Sequence, residues 1–150
     1  MSNSSVFETP VTQSPKSVRS YLPVAGRILF GLILFVFGLN GFLQFLPMPS
    51  NVPEPALAFA SALAKTGYMF PLIKGTEVVV GLMLLSNRFV PLALALVAPN
   101  VVNILLFHVF LEPAGVPMAL VVVFLELYLA WTYRSAFRTL LALRTPTGTP

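Results

Sequence analysis

The chain has 150 residues, a formal net charge of +4 and no cysteine; 57% of its residues are hydrophobic and only 9% are charged, against about a quarter charged in an ordinary soluble domain. So few charges cannot cover a folded core with a polar shell, which excludes a water-soluble globular domain, and the missing cysteine excludes disulfides, thiol chemistry and iron–sulfur or cysteine–zinc sites. The nine Lys and Arg are scattered and form no basic run, which argues against nucleic acid as a partner.

Residues 1–22 are rich in Ser, Thr, Pro and Val without an apolar period, and the composition predicts a flexible tail. A first span is predicted over about 24–46, long enough at about 1.5 Å per residue to cross a hydrocarbon core of about 30 Å. The run ends in Gln44-Phe-Leu-Pro47 with no small-residue processing site, so it reads as a retained anchor and not as a cleaved leader. Pro47 to Pro55 holds too many prolines for a helix or a central strand and is predicted to be a loop.

Pro55 suits the first turn of a short helix, Ala56 to Lys65, with Gly67 as its stop. That helix is expected to lie at the membrane surface in the first outer loop. The second span, about 68–85, carries Lys74 and Glu77 and is only marginally apolar, so it inserts well only against partner helices. Asn87-Arg88 is the turn after it.

The third span, about 89–110, has Pro91 in its first turn and Pro99 inside it, where a kink is expected. Glu112 to Pro117 makes a short turn, and the fourth span covers about 116–133, closing on Trp131 and Tyr133. Arg134, Arg138 and Arg144 line an amphipathic tail, with 139–150 beyond the membrane domain of 23–138. The predicted fold is thus all-α, an integral membrane four-helix bundle with one short interfacial helix.

Orientation follows from the basic residues outside the spans. Lys16, Arg19, Arg27, Arg88, Arg134, Arg138 and Arg144 fall on one side and Lys65 on the other, so the positive-inside rule places both termini in the cytoplasm.

Polar residues within the spans are the candidates for function, because a charge at mid-span costs about 2.5 to 3.5 kcal/mol even on the mildest insertion scale. Helical rise puts Glu77, Asn100 and Glu126 near the midplane, Asn40, Lys74 and Asn103 above it, and Gln44 and His108 near the outer rim. Lys74 and Glu77 are three apart and neutralise each other on one face; Asn100 and Asn103 share that spacing. Turning all these groups inward gives one cavity open to the outside, to which every span contributes. The competing reading is structural. Buried amides serve as interhelical hydrogen-bond links worth about 0.6 kcal/mol each, and a lone rim histidine is more often a solvated side chain than a ligand. Glu126 has no basic neighbour at helical spacing and must either meet Lys74 or an Asn of another helix or stay protonated.

One histidine and no cysteine leave no conventional metal or bis-histidine haem site on one chain, and there is no glycine-rich phosphate loop for a flavin or dinucleotide. Any redox chemistry would need a lipid-soluble carrier such as a quinone, or a partner subunit.

Three segments, Gly31-Leu-Ile-Leu-Phe-Val-Phe-Gly-Leu-Asn-Gly-Phe, Pro71-Leu-Ile-Lys-Gly-Thr-Glu-Val-Val-Val-Gly-Leu-Met-Leu-Leu and Arg88-Phe-Val-Pro-Leu-Ala-Leu, resemble the DoxX family of small four-helix bacterial and archaeal membrane proteins. The resemblance covers about 24–138. It implies a bacterial inner-membrane location and a quinone-linked or redox-accessory role beside a partner oxidoreductase subunit or in a homo-oligomer. Glu77, and by position Asn40, Lys74 and Asn103, are the residues it points to. The alternatives are a small-solute transporter, with Lys74, Glu77 and Glu126 as a proton or ion relay, and a structural assembly factor. A one-sided polar site favours the first reading, since Arg27 is the only charge in the inner halves.

Overall fold

The computed structural model describes residues 21–47 and 51–140. The expectations for the N-terminal tail through Ser20, for Met48 to Ser50 in the first loop and for Arg144 fall outside those residues. Among the described residues all regular structure is helical: α1 (Leu22–Leu43), α2 (Glu54–Lys65), α3 (Met69–Leu85), α4 (Val90–Phe110), α5 (Val116–Thr132) and α6 (Arg134–Leu140), with a 3-10 turn at Pro113–Gly115.

Local chemistry accounts for the boundaries. α1, α2, α4 and α5 each carry a proline in the first turn, where the missing N–H costs nothing. α1 stops about one turn before the sequence predicts, because Gln44 adopts a left-handed conformation and the Asn40 side chain accepts the Leu46 N–H at 2.7 Å. α2 has Glu54 in its first turn and Lys65 in its last, both favourable to the helix dipole. At the α2–α3 corner Thr66 Oγ1 donates to Leu63 O at 2.7 Å and accepts the Met69 N–H at 3.0 Å, while Gly67 takes a φ of +76° that other residues rarely adopt. The two helices meet there at 93°. α4 continues through Pro99.

α1, α4 and the stretch Pro113–Thr132 that contains α5 are long and apolar enough to cross a membrane; α2 and α3 pass that test only as a bent pair. Contacts run from α1 to α3, α3 to α4, α4 to α5 and α5 back to α1. The closest approach is between α1 and α3, which run antiparallel through glycines. A Cβ on Gly81 would lie 2.7 Å from the Phe35 backbone nitrogen, and one on Gly38 would lie 2.9 Å from Glu77 Cβ. Small residues that let backbones touch are the usual means of joining helices where lipid removes the hydrophobic drive.

The fully buried side chains, among them Phe30, Leu84, Leu94, Val97 and Leu129, fill the end of the structure where α1 begins and α3 ends. Arg27 is buried there too, its Nη1 donating to Leu84 O at the end of α3, where a cation meets the negative pole of the helix. Outward faces are apolar on every long helix, including Leu32, Val79, Leu96 and Phe124. Trp131 is exposed beneath the Arg134 guanidinium, 5.0 Å from its ring centroid.

Candidate functional site

The opposite end, where α1 and α4 end and α3 and α5 begin, is not solidly filled. Lys74 Nζ and Glu77 Oε2 form an ion pair at 2.8 Å on one face of α3. Glu77 is almost fully buried, its side chain 3% exposed, whereas that of Lys74 is 24% exposed. The backbone of α1 lies over the pair, since Gly38 abuts Glu77 Cβ and Gly41 abuts the Lys74 chain. Glycine at these two positions is what lets the charged residues sit against another helix.

Two cavities adjoin the pair. One, of about 150 Å³, lies among α1, α3, α4 and α5 and is lined by Phe37, Lys74, Glu77, His108, Met118 and others. The second, of about 220 Å³, lies under α2 and is lined by Phe59, Phe70, Lys74, Glu77, Asn103 and His108, among others. Lys74, Glu77 and His108 belong to both, so the charged groups stand between the two spaces. Apart from these three and Asn103, their walls are apolar and partly aromatic. Phe59 and Phe107 are tilted at 5.8 Å between centroids, and Phe107 meets His108 edge-on at 5.2 Å.

His108 is held from the turn beyond α4. Its Nδ1 lies 2.7 Å from Glu112 Oε2 and 3.2 Å from Glu112 O, and the ring packs where a side chain on Gly115 would otherwise stand. His108 is therefore a half-buried, oriented imidazole and not the freely solvated rim residue that the sequence favours. The sequence places Glu112 and Gly115 only in the turn after the third span and not among the candidate residues. The i, i+4 spacing of His108 and Glu112 was the available signal, obscured because Glu112 reads as part of the turn.

The structure brings together Lys74, Glu77, Asn103 and His108, and it sends the other candidates elsewhere. Asn40 caps the chain after α1 through Leu46. Asn100 Nδ2 donates to Ile73 O at 3.3 Å and links α4 to α3. Gln44 is exposed at the end of α1 and lines neither cavity. Glu126 is buried but faces a separate groove. The expectation that every span adds polar groups to one cavity is corrected accordingly: α3 and α4 supply them, while α1 and α5 supply apolar wall. The amide side chains found their partners in backbone groups one helix away or just past a helix end, and a helix register does not reveal those.

Among the described residues no cluster of three or more His, Asp or Glu is placed to hold a metal ion. The arrangement offers hydrogen-bond donors from Lys74, Asn103 and an imidazole, an acceptor in Glu77, and aromatic faces. No family model matches the chain, and no curated protein or solved structure matches it.

Proposed function

We propose that this chain is a DoxX-like integral membrane protein of four crossings in the bacterial inner membrane, and that its outer cavity binds a small quinone-like head group in the service of a redox complex. The observation that carries the reading is the placement of Lys74, Glu77 and His108 between two cavities with aromatic walls. A ring with oxygen at its edge would find donors in Lys74 and His108 and a stacking surface in Phe59 or Phe107. The chain supplies binding and orientation; electrons come from and pass to a partner subunit.

The fourth crossing is α3. Its 17 residues reach about 25 Å, a little less than the hydrocarbon core, and its outward face of Leu72, Val79 and Leu82 is apolar. α2, folded over at 93°, then lies along the outer surface above the cavity. The closed order of contacts supports a four-helix bundle, and the basic residues support cytoplasmic termini. Protease-accessible tags at Ser4 and Thr147 should be cut only from the cytoplasmic side of sealed vesicles; cleavage of either tag from the outer side would sink this orientation.

Between the cavity and Arg27 lie Phe30, Leu34, Val80 and Leu84, none more than 2% exposed. That apolar plug favours a one-sided binding site over a transporter. Native purification in mild detergent, followed by mass spectrometry of the co-purifying molecules, tests the proposal. A quinone enriched over bulk lipid, together with an oxidoreductase subunit, is the expected result. Recovery of assembly partners without any enriched small molecule would replace this reading with that of a structural factor, and a stoichiometric haem or flavin spectrum from the isolated chain would contradict it.

A further inference from the structure

The strongest feature outside the cavity is Glu126. It lies in the middle of α5, is 7% exposed, and its Oε2 has no hydrogen-bond partner among the described residues. The carboxyl lines a groove of about 340 Å³ between α4 and α5, which ends on Phe137 of α6. Ala95 and Ala98 on α4 and Ala130 on α5 leave the space open. Val102 and Leu127, 56% and 64% exposed, form part of its walls, so the groove opens sideways, along the apolar outer face of the helices.

Among the described residues no basic side chain, amide or hydroxyl lines this groove with Glu126. A buried carboxyl ordinarily has such a partner, since leaving it unpaired is costly in an apolar setting. An occupant with an apolar body and a positive charge satisfies both the walls and the ionised acid. A neutral apolar molecule would fill the space and leave the carboxyl unpartnered, and an anion would be repelled. Aromatic Phe137 in the wall adds a face attractive to a cation.

We propose that the α4–α5 groove is a binding site for a lipophilic organic cation entering from the membrane, with Glu126 as its counter-ion. The inference does not rest on the function proposed for the Lys74–Glu77 cavity, which lies at another place in the fold.

Equilibrium dialysis of the full chain in nanodiscs with tetraphenylphosphonium, and with tetraphenylborate as an anion of the same shape, tests it. Saturable phosphonium binding is expected, weakened about tenfold or more in Glu126→Gln, where the charge partner is lost, with no saturable binding of the borate. Ala98→Phe, which fills the groove from α4 and leaves Glu126 in place, should weaken phosphonium binding as well. Both variants are compared at wild-type helical content, so a folding defect is not mistaken for loss of the site. Wild-type protein that fails to saturate, Glu126→Gln that binds as tightly as wild type, or borate that binds as well as phosphonium would each overturn the proposal. Light scattering on the same samples covers one more outcome: a wild-type dimer that becomes monomeric in both variants would assign the groove to a second copy of the chain and also overturn it.

Discussion

Lys74→Met should destabilise the protein by about 3 kcal/mol or more, the cost of leaving a buried charge without its partner. The remaining carboxylate, Glu77, is 3% exposed at the side chain and lies under the backbone of α1 at Gly38, so little water reaches it. Glu77→Gln should cost less. The surviving Lys74 is 24% exposed and carries its charge on a long flexible stem, which bends toward the polar surface. The double change Lys74→Met with Glu77→Gln should recover most of the loss, since two uncharged groups of similar shape remove the unpaired charge altogether. Midpoints of thermal unfolding in detergent for the four proteins give the comparison. Singles as stable as the wild type would show that the pair contributes nothing to the fold. On the proposed function the double variant assembles normally and yet retains no enriched head group, which separates a structural pair from a binding one.

The α1–α3 contact is the second place where a small change should have a large effect. At Gly81 an added Cβ would meet the Phe35 backbone nitrogen at 2.7 Å and the Gly31 carbonyl oxygen at 2.9 Å, and neither can rotate aside as a side chain would. Gly81→Ala should cost about 1 to 3 kcal/mol through forced separation of the helices, and Gly81→Leu should prevent recovery of a monodisperse protein. Gly75, on the same helix, has nothing within 4 Å of its added Cβ. Gly75→Ala should therefore stabilise by about 0.5 to 1 kcal/mol, the ordinary gain of alanine over glycine in a helix. Unfolding of the two alanine variants side by side tests the close approach directly, and a Gly81→Ala protein at least as stable as Gly75→Ala would show that the helices are not in backbone contact there.

What the sequence by itself determined was whatever depends on neighbours along the chain. The helices from 22–43 to 116–132 follow runs of apolar residues punctuated by proline and by Gly67, and the observed bounds lie within a few residues of the expected ones. The Lys74–Glu77 pair was legible for the same reason, since a spacing of three residues brings two side chains onto one helical face whatever the rest of the molecule does. Only the tertiary structure decided where each helix turns its polar side, because each residue advances the helix by about 100° and a long apolar helix with no strongly amphipathic face leaves its rotation to packing. Hence Asn100 meets the Ile73 carbonyl, Asn40 closes the chain after α1, and Glu126 faces a groove of its own. Arg27, which sequence counts only as one more cytoplasmic charge, is also buried against the last turn of α3, 57 residues away. The imidazole of His108 likewise depends on Gly115 having no side chain. Each of these contacts joins elements whose relative placement is set by close packing of glycines and branched apolar side chains, a long-range condition that no local spacing of residues encodes.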